Sequence, residues 1–282
     1  LPAARGIFSR VENFTAMNID IENVTVESAG LEGTGVFIGQ ASGILSIEDV
    51  SISDAEVLAP CKVGSLIGAV YEGTASVSEC QVKGGSVATV WVDDVSGQCG
   101  GLIGYVGRTD EGASADRSKT VSMTISNSTV VDTQINTQVS SLSRPSSTFI
   151  GALNGYDWQE SLSMNNCSSS AILIVDNEKG VGAEFASRYN NSCKAEFVDA
   201  LVDENLLGGQ AYCRATVKFD GRPFVPAWDG KRTVKPLTAV EEYDGWSSGT
   251  VIYSAEDLAY LQGKTITSGN HYLLADVDLG GD

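Results

Sequence analysis

Two apolar patterns alternate along this chain. The first is an apolar pair bracketed by glycines: Gly35-Val36-Phe37-Ile38-Gly39, Gly64-Ser65-Leu66-Ile67-Gly68 and Gly100-Gly101-Leu102-Ile103-Gly104. Looser copies are Gly6-Ile7-Phe8-Ser9, Ser147-Thr148-Phe149-Ile150-Gly151 and Gly182-Ala183-Glu184-Phe185-Ala186. Their last small residues fall at positions 9, 39, 68, 104, 151 and 186, at intervals of 30, 29, 36, 47 and 35 residues. Recurrence at this period marks a repeat architecture. The second pattern alternates apolar and polar with period two: Ile21-Glu22-Asn23-Val24-Thr25-Val26, Ile47-Glu48-Asp49-Val50-Ser51-Ile52, Val77-Ser78-Glu79-Cys80-Gln81-Val82, Ile125-Ser126-Asn127-Ser128-Thr129-Val130 and Met164-Asn165-Asn166-Cys167-Ser168-Ser169. Short runs of Val, Ile and Thr between Gly, Asn, Asp and Ser predict strands joined by turns.

Each unit therefore reads as an apolar strand, a glycine turn, an alternating strand carrying Asn or Asp, and a variable return. No unit buries its apolar face alone, but stacking unit on unit does. The expected fold is all-β, a right-handed parallel β-solenoid of about six coils, which at a strand spacing of ~4.8 Å makes a rod of roughly 30 Å. Ile38, Ile67 and Ile103 should form one internal row. The expected core and turn set is Gly6, Phe8, Phe37, Ile38, Gly39, Leu66, Ile67, Gly68, Leu102, Ile103, Gly104, Phe149, Ile150 and Gly151. On this alignment the opening Leu-Ile pair is a rung of stacked core, its glycines serving the turn.

Asn23, Asp49, Asn127 and Asn166 share one place in this alignment, where a side-chain amide or carboxylate can satisfy turn backbone groups. Asn13, Asn23, Asn127, Asn166, Asn190 and Asn191 also read Asn-x-Ser/Thr, but the match follows the repeat, so the turn reading takes precedence. Cys80 and Cys167 align with Val24 and Val50 and should point inward, with Cys193 in the same row. They read first as core residues, and Cys167–Cys193 is the disulfide pair to test. Polar stretches at 107–119 and 133–147 read as loops. From Ala215 the character changes: Thr216 to Pro226 reads as a strand and then an irregular, proline-bearing crossing. Ser254 to Leu261 carries a helix signal with Ser254 as N-cap and Asp257 at N3. Residues 271 to 279 alternate like one more strand. The expected division is a solenoid over 1–214, a linker or end cap over 215–249, and a small α+β segment over 250–282 that opens a following module or docks.

Composition narrows the partners. Lys+Arg number 18 against 36 Asp+Glu, a net charge of −18, which repels phosphate backbones and argues against nucleic acid. No apolar run reaches the ~20 residues of a spanning helix, so no membrane insertion is expected. The six cysteines lack any Cys-x-x-Cys and accompany one histidine, which excludes the usual zinc spacings. The chain opens in mid-repeat, and the expectation is a piece of something longer.

The Gly-x-[Leu/Phe]-Ile-Gly anchors followed by Asn-Val-Thr-Val strands resemble the GLUG-motif repeats of bacterial surface and adhesin-like proteins. Ile252-Tyr253-Ser254-Ala255-Glu256-Asp257-Leu258, then Tyr272 to Leu279, looks like the segment that opens such modules. The resemblance covers roughly residues 1–200 and 250–282. It implies a β-solenoid at the cell surface or outside the cell, and brings no catalytic motif. In the family the opener precedes the coils, whereas here it follows them, so residues 250–282 would pack against the first coil of a following copy.

Catalysis is not the expectation. A nucleophilic triad would need His271, which sits at a strand start. Paired carboxylates for glycan cleavage would be Asp93-Asp94 or Asp110-Glu111, both in turn or loop contexts that explain their acidity. Asp276, Asp278 and Asp282 would be the calcium candidates, but alternation makes them ordinary exposed strand residues, so no cofactor is expected. Three functional classes follow, in order: a structural or adhesive module partnering copies of itself or adjacent modules; a glycan-binding module using the two loops with Trp91, Tyr105 and Trp158; and a polysaccharide-active enzyme.

Overall fold

The computed structural model describes residues 5–90, 92, 97–107, 120–137, 146–154, 161–175, 182–183, 185–186, 188–189, 193–201, 210–211, 216–226, 235–239, 249–252 and 270–273. Their regular structure is entirely β, with no helix among them. Most pairings are parallel. The largest sheet carries Phe8–Glu22, Ile38–Ser53 and Ile67–Ser78 side by side, then continues along one arm through Ile103–Gly107 and Ile150–Asn154. Its other arm runs through Val121–Ser126, Ser161–Asn165, Lys194–Val198 and Thr216–Phe219. A second parallel sheet holds Thr25–Glu27, Glu56–Ala59, Ser86–Thr89, Gln134–Thr137 and Ile172–Val175, and a third holds Val63–Gly64, Cys99–Gly100, Ser146–Ser147 and Gly182–Ala183. Successive turns of chain each add one strand to each sheet, an arrangement consistent with a β-solenoid. The helix expected at Ser254–Leu261 lies outside the described residues, and of the strand expected over 271–279 the structure describes Asn270–Leu273, parallel to Gly249–Ile252.

The anchors stack in register. Phe8 pairs with Ile38, Ile38 with Ile67, Ile67 with Ile103, and Ile103 with Ile150. From Ile38 to Ile150 this row is wholly removed from solvent, as are Leu66, Leu102 and Phe149 beside it. The next residue of the row is Ala186, facing Ile150, so the last copy sits one residue away from the alignment that equates Ala186 with Gly151. The bracketing glycines have a different task from the one expected. Gly35, Gly39, Gly64, Gly68, Gly100 and Gly104 are absent from the left-handed region, so the bend does not need their φ. They are needed for room: a Cβ on Gly64 would lie 2.4 Å from Ile67 O and 2.6 Å from Gly104 N, and one on Gly68 would lie 2.1 Å from Thr34 N. Where Ser147 replaces the first glycine, its hydroxyl donates to the Ile150 and Phe185 carbonyls and fits the same tight space.

Among the described residues, ten of the twelve non-glycine left-handed positions are asparagine or aspartate, the others being Lys62 and Glu79, all with φ between 48° and 55°. One column holds Asn18, Asp49, Glu79, Asn127, Asn166 and Asp199, by continuation of the register on either side. Asn23 is not in it. It shares the next column with Asp54, Gly84 and Asp132, because Ala16 pairs with Ile47 and Ile21 with Ile52. The first strand places Asn13, Asn18 and Asn23 five residues apart, so the motif fits it at two offsets. Neighbouring corners are tied together: Asn166 Nδ2 donates to Asn127 Oδ1 at 2.8 Å, and Ile44 N donates to Asn13 Oδ1 at 3.0 Å. Asn and Asp tolerate this region because their short polar groups bond locally.

Two further expectations change. Residues 133–147 are not one surface excursion, since Gln134–Thr137 and Ser146–Ser147 are strands, and Thr133, Thr137, Ser146 and Ser147 are fully buried. Thr216 to Pro226 is not an irregular crossing but a hairpin. Thr216–Phe219 continues the parallel ladder, Asp220 and Gly221 take φ of 48° and 76°, and Arg222–Pro226 returns antiparallel. Two successive positive φ values select the hairpin turn that matches strand twist, and Asp-Gly supplies them. Lys235–Ala239 then pairs with both Arg222–Pro226 and Gln210–Ala211, joining the two arms of the sheet with antiparallel strands.

Candidate functional site

Among the described residues the other end of the ladder has no such cover. Phe8–Glu22 pairs with Ile38–Ser53 on one side, and no described strand pairs with it on the other. Its inward side chains Phe14, Ala16 and Ile19 are only partly buried, while their partners one rung above, Leu45, Ile47 and Val50, are 2%, 0% and 1% exposed. Phe8, Phe14 and Phe37 cluster here with ring centroids 5.0 to 6.0 Å apart. Ile7, Phe8 and Met17 stand 57%, 40% and 53% exposed. Among the described residues the end therefore offers both an open row of backbone donors and acceptors and an apolar strip beside it.

A second feature lies on the outward face of the longer arm. Period-two alternation sends Thr74, Ser122, Ser161 and Lys194 outward in one column and Ser76, Thr124, Ser163, Glu196 and Lys218 in the next. Ser161 Oγ lies 3.1 Å from Ser122 Oγ. All of these except Thr74 and Ser76, with the chain at Met123, Leu162 and Ala195 as floor, line an open groove of about 230 Å³. The sequence carried its signal in Thr74-x-Ser76, Ser122-x-Thr124 and Ser161-x-Ser163, a hydroxyl pair at the same place in successive repeats. The anchors and corners that align the repeats assign these outward hydroxyls no role.

The thiols are buried structural groups. Cys61, Cys80, Cys99, Cys167 and Cys193 are thiols rather than disulfides. Cys80 and Cys167 point inward in the column of Val50 and Ile19, not Val24, with Ser128 between them. Ser128 Oγ accepts the Cys80 N–H at 3.1 Å and donates to Ser126 O at 2.8 Å. Cys193 belongs to a different column, that of Val121, immediately before the strand Lys194–Val198. The proposed Cys167–Cys193 bridge is therefore not formed: Cys167 Sγ lies against Asn165 O and Cys193 Sγ against Leu153 O. Burial pushes the Cys80 thiol up to about 11 and raises Cys99 and Cys167 as well. A thiol held protonated is a poor nucleophile.

The other candidates divide between placed and unplaced. Tyr105 is not an exposed glycan platform: it is 1% exposed, its ring centroid is 5.9 Å from that of Tyr71, and Lys62 Nζ sits 5.1 Å from its ring centroid. Trp91, Trp158, Asp93, Asp94, Asp110, Glu111, Asp276, Asp278 and Asp282 lie outside the described residues. His271 lies in the strand Asn270–Leu273, pairing with Thr250. Among the described residues no group of three or more His, Cys, Asp or Glu side chains is placed to hold a metal ion, and no helix is long and apolar enough to cross a membrane. Comparison with known proteins gives no match to this chain among family models, curated proteins or solved structures.

Proposed function

We propose that the chain is a non-catalytic structural or adhesive module of an extracellular surface protein or filament, built as a right-handed solenoid of about six coils on GLUG-type repeats. It joins end to end with further copies or adjacent modules. The observation that supports this reading is the asymmetry of its ends. Among the described residues one end is closed by antiparallel strands, while the other presents a 15-residue strand paired on one side, with a half-covered apolar row. The parallel pair Gly249–Ile252 and Asn270–Leu273 supplies a matching parallel edge, and two strands alone are marginal in water. A second copy that places this pair beneath Phe8–Glu22 continues the ladder and covers the row.

The test is sedimentation velocity on the chain across a wide concentration range. The unaltered chain should associate, and Ile19→Lys, which puts a charge on the open row, should remain monomeric with an unfolding midpoint close to the parent's. A chain that stays monomeric throughout, or an Ile19→Lys variant that associates equally well, overturns the reading.

A further inference from the structure

Where the second sheet meets the third, the apolar core gives way to hydroxyl groups over two rungs. We propose that a buried water molecule is held there by Thr89, Thr137 and Ser146, and that it ties the two rungs together through their side chains.

The register builds the site. Thr89 and Thr137 are partners at the ends of Ser86–Thr89 and Gln134–Thr137, and Cys99 and Ser146 are partners in the third sheet. These two pairs of strands pack against each other. Cys99 Sγ donates to the Val87 carbonyl at 3.4 Å and is hydrogen-bonded to the Asn136 backbone, so it lies against the strands that end in Thr89 and Thr137. Ser146, one rung on from Cys99, stands beside Thr137 as Cys99 stands beside Thr89. Thr89, Thr137 and Ser146 are each 0% exposed. Among the described residues none of their three hydroxyl oxygens has a hydrogen-bond partner.

The fold itself does not demand hydroxyls here. The preceding rung carries Ala59 and Val63 at the same two places, both fully buried and apolar. A buried hydroxyl without a partner is destabilising, and polar groups in protein interiors are satisfied almost without exception. One water satisfies several at once, since an internal water makes about three hydrogen bonds to groups that lack other partners. With no carboxylate among them, three neutral hydroxyls suit a neutral guest and not a metal ion. The sequence also lengthens at these rungs: Cys99 follows Thr89 by 10 residues and Ser146 follows Thr137 by 9, whereas Val63 follows Ala59 by 4. A longer connection need not draw its two strands as close together as a short one does.

The experiment is urea unfolding of the full chain with valine at Thr89, at Thr137 and at both, because valine keeps the shape and removes the hydroxyl. With water bound, each single variant should lower the midpoint. The double variant should lower it by less than the two losses summed, since one guest serves both side chains. A crystal structure of the parent should show one solvent peak within hydrogen-bond distance of all three oxygens. A midpoint that rises in either single variant, losses that simply add, or hydroxyls bonded only to protein overturns the proposal. The valine variants should leave self-association intact, and Ile19→Lys does not touch this corner, so this proposal and the end-to-end reading fail separately.

Discussion

Leu45, Ile47 and Val50 are dry, while Phe14, Ala16 and Ile19, their register partners one rung down, are half wet. The residues are of the same kind and face the same way. Among the described residues the upper strand has a neighbour on both sides, and the lower strand has one. Burial here belongs to the stack and not to the unit, which is why no single repeat could fold alone.

The sharpest break of this comparison is a charge placed in the middle and at the end of the same row. Ile67→Asp, at 0% exposure between Ile38 and Ile103, leaves an unpaired carboxylate in the core and should unfold the chain. Phe8→Asp, in the same row at 40% exposure, should lower the urea midpoint only modestly. Equal losses would mean that the row is not the continuous core described. Glycines give the next contrast. Gly68→Ala drives a methyl group into Thr34 N, 2.1 Å away, and should cost about 3 kcal/mol or more in urea denaturation. Gly221→Ala meets nothing within 4 Å but keeps a φ of 76°, so its cost should be only about 1 kcal/mol.

Smaller effects sharpen the picture. Asn166→Ala loses both the 2.8 Å bond to Asn127 and the residue type that tolerates a φ of 51°, and should cost about 1–2 kcal/mol. Asn166→Gly keeps the backbone freedom and should lose less. The smallest effect is a pH dependence. Burial raises the folded Cys80 thiol to about 11, above its ordinary value of 9.0, so the fold holds the protonated form. The associated stability is fully present below pH 9 and declines as pH rises toward 11. Cys80→Val, matching Val50 in the same column, should flatten that part of the decline in unfolding midpoints.

The anchors were legible because glycine pairs around Leu-Ile or Phe-Ile are distinctive, and their spacing set the in-register row from Phe8 to Ile150. The alternating strands were legible as strands but not as columns. Asn23 was aligned with Asp49 because the first repeat contains the motif twice, five residues apart, and only hydrogen-bond register chooses between them. Ser146 and Ser147 were read as loop since hydroxyls are polar, yet Ser147 takes the place of a glycine and spends its hydroxyl on buried carbonyls. The antiparallel closure was hidden by Pro223 and Pro236, which read as irregular chain. Both lie in antiparallel pairings that reverse the ladder. The groove was not legible for a simpler reason: outward serines look alike in sequence whether they line a trough or face open water.

The five-residue spacing of Asn13, Asn18 and Asn23 has a kinetic side. Sliding a strand by one residue normally turns every side chain to the wrong face, which makes slippage costly. Sliding the first strand by five returns corner to corner and apolar to apolar, with Phe14, Ile19 and Val24 exchanging places and Val11, Ala16, Ile21 and Val26 doing the same. Refolding should therefore visit a mispaired species one corner out of step, seen as a slow phase in refolding kinetics.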